Sequence, residues 1–591
     1  MSRSLNLLAV SACAGGLVLG AFALPAATAL PAAPAAGGAF IPGAGVVADP
    51  VTYSADRAGL ALRPLGSYST GVFDESSAEV VAYHARSERL FSVNAQAGEV
   101  TVLDVSDVTA PARLFALQTT GVPAADGSVV PDGAVANSVA VRSDGLTIVA
   151  VESPDKVSQG WLVFFDAAGD GAALGAVRVG ALPDMVTVTP DGRTAVVANE
   201  GEPDDDFTVD PEGTVSVVAL AHRVAAPAQS AVRTADFHAF EGDALPEGVR
   251  VFGPDVAAPD GSLTYRVSRN LEPEYVAVDK HSGTAYVALQ EANAVAEVDL
   301  ASATVTAIRS LGAKDHSVVG QGIDPSDKDG VAAIREVPVQ GLYMPDGLTA
   351  YSVRGETYLV SANEGDAREW GDYAEPVRVK SLGKKGVPPV CAGSPAAGLL
   401  GDADLGRLNV TTASGLSDDG TCYEELYSFG SRSFSIWTTD GELVFDSGTE
   451  LEEITSAALG DAFNTNHTET NFEGRSDDKG PEPENLAIGS VGGRTYAFIG
   501  LERASGVVVY DISSPAQSEL VTYVSNRDYS VSVEDADDTS AALSAAGDLG
   551  PEGLAFIPAS DSPTHKPLLA VANEVSGTTT LFQVDLVRGR G

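Results

Sequence analysis

Cysteine, methionine and tryptophan are scarce in this chain, three of each in 591 residues, and histidine is scarce too, at seven. So few cysteines exclude a CxxC-type metal site, and the histidines are scattered without zinc-ligand spacing. HExxH, GxSxG, Walker A and GxGxxG patterns are absent, so serine-hydrolase, nucleotide and dinucleotide redox chemistry have no support. Cations are the next shortage: 36 Lys and Arg face 81 Asp and Glu, a net charge of −45. A field of that sign repels nucleic acid and anionic membranes and attracts cations, so no nucleic-acid partner is expected. Beyond the amino-terminal segment no run of 18 uninterrupted apolar residues occurs, so no membrane span is expected after the leader is removed. Long amphipathic helical windows are missing as well.

What the chain does have begins with that leader. Arg3 precedes an apolar stretch from Leu5 to Leu24, and Ala27-Thr28-Ala29 supplies small residues for cleavage. A signal peptide over residues 1–29 and a secreted, soluble product are therefore expected. The alternatives are an uncleaved anchor, or lipoprotein processing at Val10-Ser11-Ala12-Cys13, which stands early in the apolar stretch. Residues 30–58, rich in Ala, Pro and Gly, read as a linker. Outside the leader only Cys391 and Cys422 remain, and in an exported chain they are expected to pair, two free thiols being the alternative.

From residue 59 to 591 short Val, Ile, Thr, Tyr and Phe runs alternate with Gly-, Asp- and Asn-rich turns. Compared with itself, the chain shows one plan seven times: a polar or acidic residue opens a strand, a second strand ends in a polar cluster, and a third strand often ends in Asp. The first copy runs Glu79-Val80-Val81, Ser92-Val93-Asn94 and Val102-Leu103-Asp104; the last runs Pro551-Glu552-Gly553, Ala572-Asn573-Glu574 and Gln583-Val584-Asp585. The grammar is that of propeller blades, which bury their faces by stacking in a circle. The expected fold class is all-β, a seven-bladed β-propeller with long loop insertions near 224–268, 301–340, 371–430 and 446–481; the alternative is an array of two-sheet sandwiches. The strand from Leu62 to Tyr68 is expected to pair beside Leu581–Leu586 and close the ring.

Equivalent positions of successive blades should lie on rings. The strand-opening set is Glu79, Asn137, Asp184, Glu274, Asp346, Glu484 and Glu552; the second-strand set is Asn94, Glu152, Glu200, Glu291, Glu364, Glu502 and Glu574. Two carboxylates 4 Å apart repel by about 4 kcal/mol at an effective dielectric of 20. Raised pKa values, pairing with Arg or Lys, or bound cations would relieve this, and dense oxygen ligands suit Ca²⁺. The candidate metal ligands are Glu79, Asp184, Glu200, Glu274, Glu291, Asp346, Glu364, Glu484, Glu502, Glu552 and Glu574; the competing reading is that Pro-Glu and Pro-Asp cap turns. Arg368, His467, Arg475, Lys479 and Arg503 stand among the acids. With Glu484 they are candidate catalytic residues for a metal-assisted phosphoester reaction, the alternative being salt bridges between loops. Asp324–Gly330 has the look of a calcium loop, but Pro325 breaks the EF-hand spacing.

Residues 182–191 (LPDMVTVTPD), 198–213 (ANEGEPDDDFTVDPEG), 272–293 (EPEYVAV…ALQEAN), 362–368 (ANEGDAR) and 475–503 (RSDDKGPEPENLAIG…IGLER) resemble the choice-of-anchor I family, related to mesenchyme-specific cell-surface glycoproteins. The resemblance implies an extracellular YVTN/WD40-like β-propeller. Some members carry an alkaline-phosphatase label and animal relatives are linked to biomineralisation, which brings calcium in by analogy. Members usually carry a carboxy-terminal anchor; this chain ends Val-Arg-Gly-Arg-Gly, so release is expected ahead of surface association. The expected function is a secreted, monomeric binding or scaffold propeller with a Ca²⁺-binding acidic face. Its expected partners are a divalent cation and an extracellular ligand. The alternative is a Ca²⁺-dependent phosphoesterase of the alkaline phosphatase or phytase kind, acting on a phosphoester.

Overall fold

The computed structural model describes residues 43, 45–204, 207–256 and 264–587. The expected signal peptide, the box at residues 10–13 and the linker up to residue 42 lie outside the described residues.

Six four-stranded antiparallel sheets and one of five strands carry the fold. Sheet A is Val81–His84, Arg89–Asn94, Glu99–Asp104 and Ala112–Gln118. Sheet B is Val135–Val141, Leu146–Glu152, Gln159–Asp166 and Gly175–Ala181. Sheet C is Pro183–Val188, Thr194–Asn199, Thr214–Ala219 and Val232–Ala235. Sheet D is Pro273–Val278, Thr284–Leu289, Ala294–Asp299 and Thr304–Ser310. Sheet E is Leu348–Val353, Glu356–Asn363, Ser433–Thr438 and Leu443–Asp446. Sheet F is Pro483–Val491, Arg494–Leu501, Val507–Asp511 and Glu519–Ser525. Sheet G is Pro551–Ile557, Leu568–Asn573 and Thr578–Leu586, completed by Leu60–Ser69.

The first strand of each sheet touches the first strand of the next, and that of G touches that of A. The core is divided in the same way. An apolar layer fills each junction between successive sheets, such as Phe91, Val139 and Phe165 between A and B, or Leu146, Val186 and Val218 between B and C. This cyclic burial is that of a β-propeller and leaves no room for paired sandwiches. The first strands approach so closely that side chains are excluded at two junctions. A Cβ on Gly347 would lie 2.7 Å from the Asn485 backbone, and one on Gly553 would lie 2.5 Å from the Glu79 carbonyl.

The recurring Asp at the end of the third strand has a local cause. Asp104, Asp166, Asp299 and Asp511 each accept a backbone N–H two or three residues on, which turns the chain into the fourth strand. Closure follows the expectation: Leu62 pairs with Val584 and Tyr68 with Thr579, joining the two ends of the ring in one antiparallel pair.

Three boundaries differ from the sequence reading. Val51–Ser54, inside the expected linker, is a fifth strand of sheet F, with Val51 opposite Ser525. Its alternation turns Val51 and Tyr53 onto the apolar layer between E and F. Val232–Ala235 and Thr304–Ser310 are fourth strands of C and D, although they fall in the stretches expected as insertions. The rest of the inserted chain is packed. Ile323, Val337 and Val339 share a small core with Val379, Leu405, Leu408, Val410, Tyr423 and Leu426, joining two insertions into one accessory layer. The Cys391–Cys422 disulfide lies in this layer.

Candidate functional site

Five sheets enter the ring through the same backbone device. The residue before the strand-opening proline has positive φ: Leu182 at 44°, Glu272 at 38°, Met344 at 43°, Glu482 at 52° and Gly550 at 68°. A residue before proline normally takes extended backbone, so each non-glycine case stores roughly 1–3 kcal/mol of strain. The carbonyl so turned accepts the amide of a second-strand glutamate, from Glu200 to Leu182, Glu502 to Glu482 and Glu574 to Gly550 at 2.7–2.8 Å. Next comes a bulge, between Pro183 and Val186, Pro273 and Val276, Pro483 and Leu486, and Pro551 and Leu554. A bulge re-aims side chains, and the acids inside these bulges are Asp184, Glu274, Glu484 and Glu552. Strand-opening and second-strand acids therefore come to one mouth of the ring.

Their electrostatics shows that they meet. Burial raises Asp346 well above the ordinary range, and Glu364, Asp184 and Glu502 add to it from three other sheets or strands. Glu274 is raised by burial, then by Glu291, Asp346 and Glu200. Glu552 is raised by burial, then by Glu574, Asp346, Glu502 and Glu79. Burial and neighbouring carboxylates bring Asp184 and Glu574 up to about 7. Glu79 and Glu200 are raised by the same two causes.

Glu364, Glu484 and Glu502 form one close group at the mouth, one carboxylate oxygen of each lying within 4.8 Å of the others. Glu484 Oε2 is buried without a hydrogen-bond partner, as are Glu274 Oε2 and Glu291 Oε2. Glu364 accepts from Gln290 Nε2 at 2.9 Å and from Lys479 Nζ. Glu502 meets His467 Nδ1 at 2.9 Å and Arg503 Nε at 3.2 Å. Burial works to raise Glu502, but Arg503 and His467 outweigh it and bring it down to about 2. Burial and Arg503 lower the His467 imidazole, so its contact with Glu502 is a hydrogen bond of the neutral ring at pH 7. Its Nδ1–H donates to Glu502 while Nε2 accepts from Arg503.

Most of the predicted cations converge here, and a residue outside the predicted set organises them. Glu482, fully buried, accepts from Arg475 at 2.6 Å, Lys479 at 3.1 Å and Arg503 at 3.2 Å. Burial would raise it, yet those three cations hold it far below the carboxylate range. Its signal in the sequence was the Glu-Pro-Glu repeat, in which the first acid turns away from the mouth and the second faces it. Arg368 does not join the group. It is buried against Glu272 and Asn270, with the Phe252 and Trp370 rings 4.5 and 4.9 Å from its guanidinium carbon. Asn94, expected on the second ring, caps its own turn by accepting from Ala97 N at 3.0 Å. Glu202, outside the predicted set, adds its charge beside Asp184 and Glu200.

Among the described residues, Asp184, Glu200, Glu274, Asp346, Glu484 and Glu552 form no ion pair, whereas Glu364 and Glu502 do. The mouth is a set of hard oxygen donors with partial internal neutralisation, a donor set that fits Ca²⁺. No helix among the described residues is long and apolar enough to cross a membrane.

Known proteins place the chain further. It is 34% identical over 190 residues to Gigasin-3a of Magallana gigas, covering 31% of this chain and 66% of that protein. It is 27% identical over 277 residues to the mesenchyme-specific cell surface glycoprotein of Strongylocentrotus purpuratus, covering 42% of this chain and 35% of that one. The chain thus spans just under two thirds and about one third of these curated relatives. Similar solved structures include hydrazine synthase of Kuenenia stuttgartiensis, with 14% identity, a TM-score of 0.40, and coverage of 88% of this chain and all of that one. Another is the β-propeller domain of Cps50 (Swd1) from Myceliophteria thermophila, with 8% identity, a TM-score of 0.37, and coverage of 87% and 98%. The choice-of-anchor I domain model matches residues 79–515, most of the chain, and the protein belongs to that family.

Proposed function

We propose that this protein is an extracellular binding or scaffold module, a seven-bladed propeller whose acidic mouth holds Ca²⁺. The observation that carries the reading is the Glu364, Glu484 and Glu502 group, with oxygens within 4.8 Å and a buried, unpartnered Glu484 Oε2. Oxygens bound to one Ca²⁺ at about 2.4 Å stand at most about 4.8 Å apart, so the group matches the span of a single ion. Asp346, raised by burial and by Glu364, Asp184 and Glu502 around it, extends the donor set. The blade count rests on the cyclic contacts of the first strands and the apolar layer at each junction. Extracellular placement rests on the disulfide, the leader and the cell-surface relative.

A bound ion would let the mouth present coordinated charge to an anionic extracellular ligand. The phosphoesterase alternative needs cations free to meet a phosphate, and Arg475, Lys479 and Arg503 are all engaged by Glu482. The geometry therefore favours binding over catalysis. Melting with EDTA, Ca²⁺ and Mg²⁺, beside p-nitrophenyl phosphate and phytate assays under the same conditions, tests both. A rise with Ca²⁺ and no turnover is expected. No metal response would sink the ion site, and Ca²⁺-dependent turnover lost in Glu484→Gln would replace the binding reading with the catalytic one.

A further inference from the structure

A second group of acids lies outside the mouth. Asp324 and Asp329 belong to the insertion between sheets D and E, and Glu473 belongs to the loop leading into sheet F. One carboxylate oxygen of each lies within 4.8 Å of the others. Asp324 is fully buried and Glu473 is 1% exposed, and Glu473 Oε1 has no hydrogen-bond partner. Glu473 also holds positive φ, at 62°, a conformation a non-glycine residue keeps only where its surroundings impose it.

Among the described residues no cation forms an ion pair with this group, and Arg432 offsets the charge of Asp324 only in part. The nearest guanidinium, Arg432, is spent on Glu452 at 2.7 Å and on the carbonyls of Asp324, Ser476 and Asp478. Lys328 pairs with Asp327 at 2.5 Å. Asp324 does accept backbone N–H from Ala333 at 3.1 Å, which fixes its carboxylate without neutralising it. Three carboxylates in mutual contact, two of them buried, are not stable together as bare anions.

We propose that Asp324, Asp329 and Glu473 form a second Ca²⁺ site that fastens the accessory layer to the loop before sheet F. Three carboxylates from two separate loops suit Ca²⁺, which takes 6–8 oxygens in adaptable geometry, better than Mg²⁺, which demands a near-ideal octahedron and keeps several waters. The site has a structural reach. Residues 464–480 carry His467, Arg475 and Lys479 to the acidic mouth, and a tie at Glu473 steadies that stretch from behind. The inference stands independently of the ion at Glu484, since no residue is shared.

The test is hydrogen exchange of the full chain in EDTA and in Ca²⁺, with Asp329→Asn, Glu473→Gln and Glu484→Gln as variants. Asp329 is only half-buried, so its variant keeps the question open if Glu473→Gln fails to fold. At a Ca²⁺ concentration 100 times the Kd, exchange in residues 322–333 and 464–480 should slow by up to about 100-fold in the wild type. Glu484→Gln should keep that protection and Asp329→Asn should lose it. Protection that survives in Asp329→Asn, or none in the wild type, would overturn the site and leave the three carboxyls sharing protons.

Discussion

Substituting Glu482 and Glu552 by Gln should move stability in opposite directions, although both are acids next to strand-opening prolines. Glu482 is fully buried and anchors Arg475, Lys479 and Arg503. Removing its charge takes the shared buried acceptor from three cations and leaves them only Asp478, Glu364 and Glu502, at a cost of roughly 3–5 kcal/mol. With about 540 ordered residues unfolding at about 2.1 cal/mol/K each, that corresponds to a fall of about 3–4 °C in Tm. Among the described residues Glu552 has no ion-pair partner, and it stands among Glu574, Asp346, Glu502 and Glu79. One carboxylate neighbour at about 6 Å costs about 3 kcal/mol at a dielectric of 20, so Glu552→Gln should raise Tm by about 1–3 °C where the acids are ionised. Scanning calorimetry in EDTA at pH 5 and pH 8.5 separates the two. Glu482 is ionised at both values, so its variant should be weakened at both. Burial and the neighbouring carboxylates raise Glu552, so its variant should gain more at pH 8.5 than at pH 5. Equal shifts of the same sign at pH 8.5 would refute the division of the site into a paired hub and an unpaired mouth.

Other expectations follow from the same electrostatics and packing. Asp184, Glu364 and Glu574 are each raised, chiefly by burial, to about 7 from ordinary values of 3.8 and 4.5. The native state then holds more protons than the unfolded chain between about pH 4 and pH 7, so Tm in EDTA should fall across that window, and Ca²⁺ should abolish the fall. A Tm that rises from pH 4 to 7 in EDTA would contradict it. Replacing Cys391 by Ser opens a loop of 31 residues and should cost about 3–4 kcal/mol, felt as faster proteolysis within 371–430. Cleavage spread evenly over the ring would show that the accessory layer has no separate core. Deleting the chain through Ser69 removes the strand that pairs with Thr578–Leu586 and should abolish cooperative melting; a variant that melts like the wild type would deny the closure its role.

Much of the ring could be read from residues alone because each blade repeats its marks in register. The pairing of Leu62–Tyr68 with the end of the chain was visible because it supplies the outer strand that the last repeat lacks. The acid rings were visible for a related reason: equivalent positions on stacked sheets converge whatever the loops do. What could not be read depends on contacts between distant segments. Glu482 looks like another strand-opening acid, and only its positive φ turns it from the mouth towards Arg475, Lys479 and Arg503. Arg368 looks like a free cation beside acids, yet Phe252, more than a hundred residues earlier, walls it in. The insertions read as loops because Ile323 and Leu408 show no periodicity until they pack together. Val51–Ser54 was hidden in an Ala- and Pro-rich stretch, and four alternating residues are too short a signal.

The central claim, that the acidic mouth holds an ion, is tested most directly by anomalous diffraction from crystals grown in Ca²⁺. The account predicts a peak bounded by the carboxylates of Glu364, Glu484 and Glu502, lost in Glu484→Gln. An empty position there at saturating Ca²⁺, with the three carboxylates held apart as they are in its absence, would contradict it.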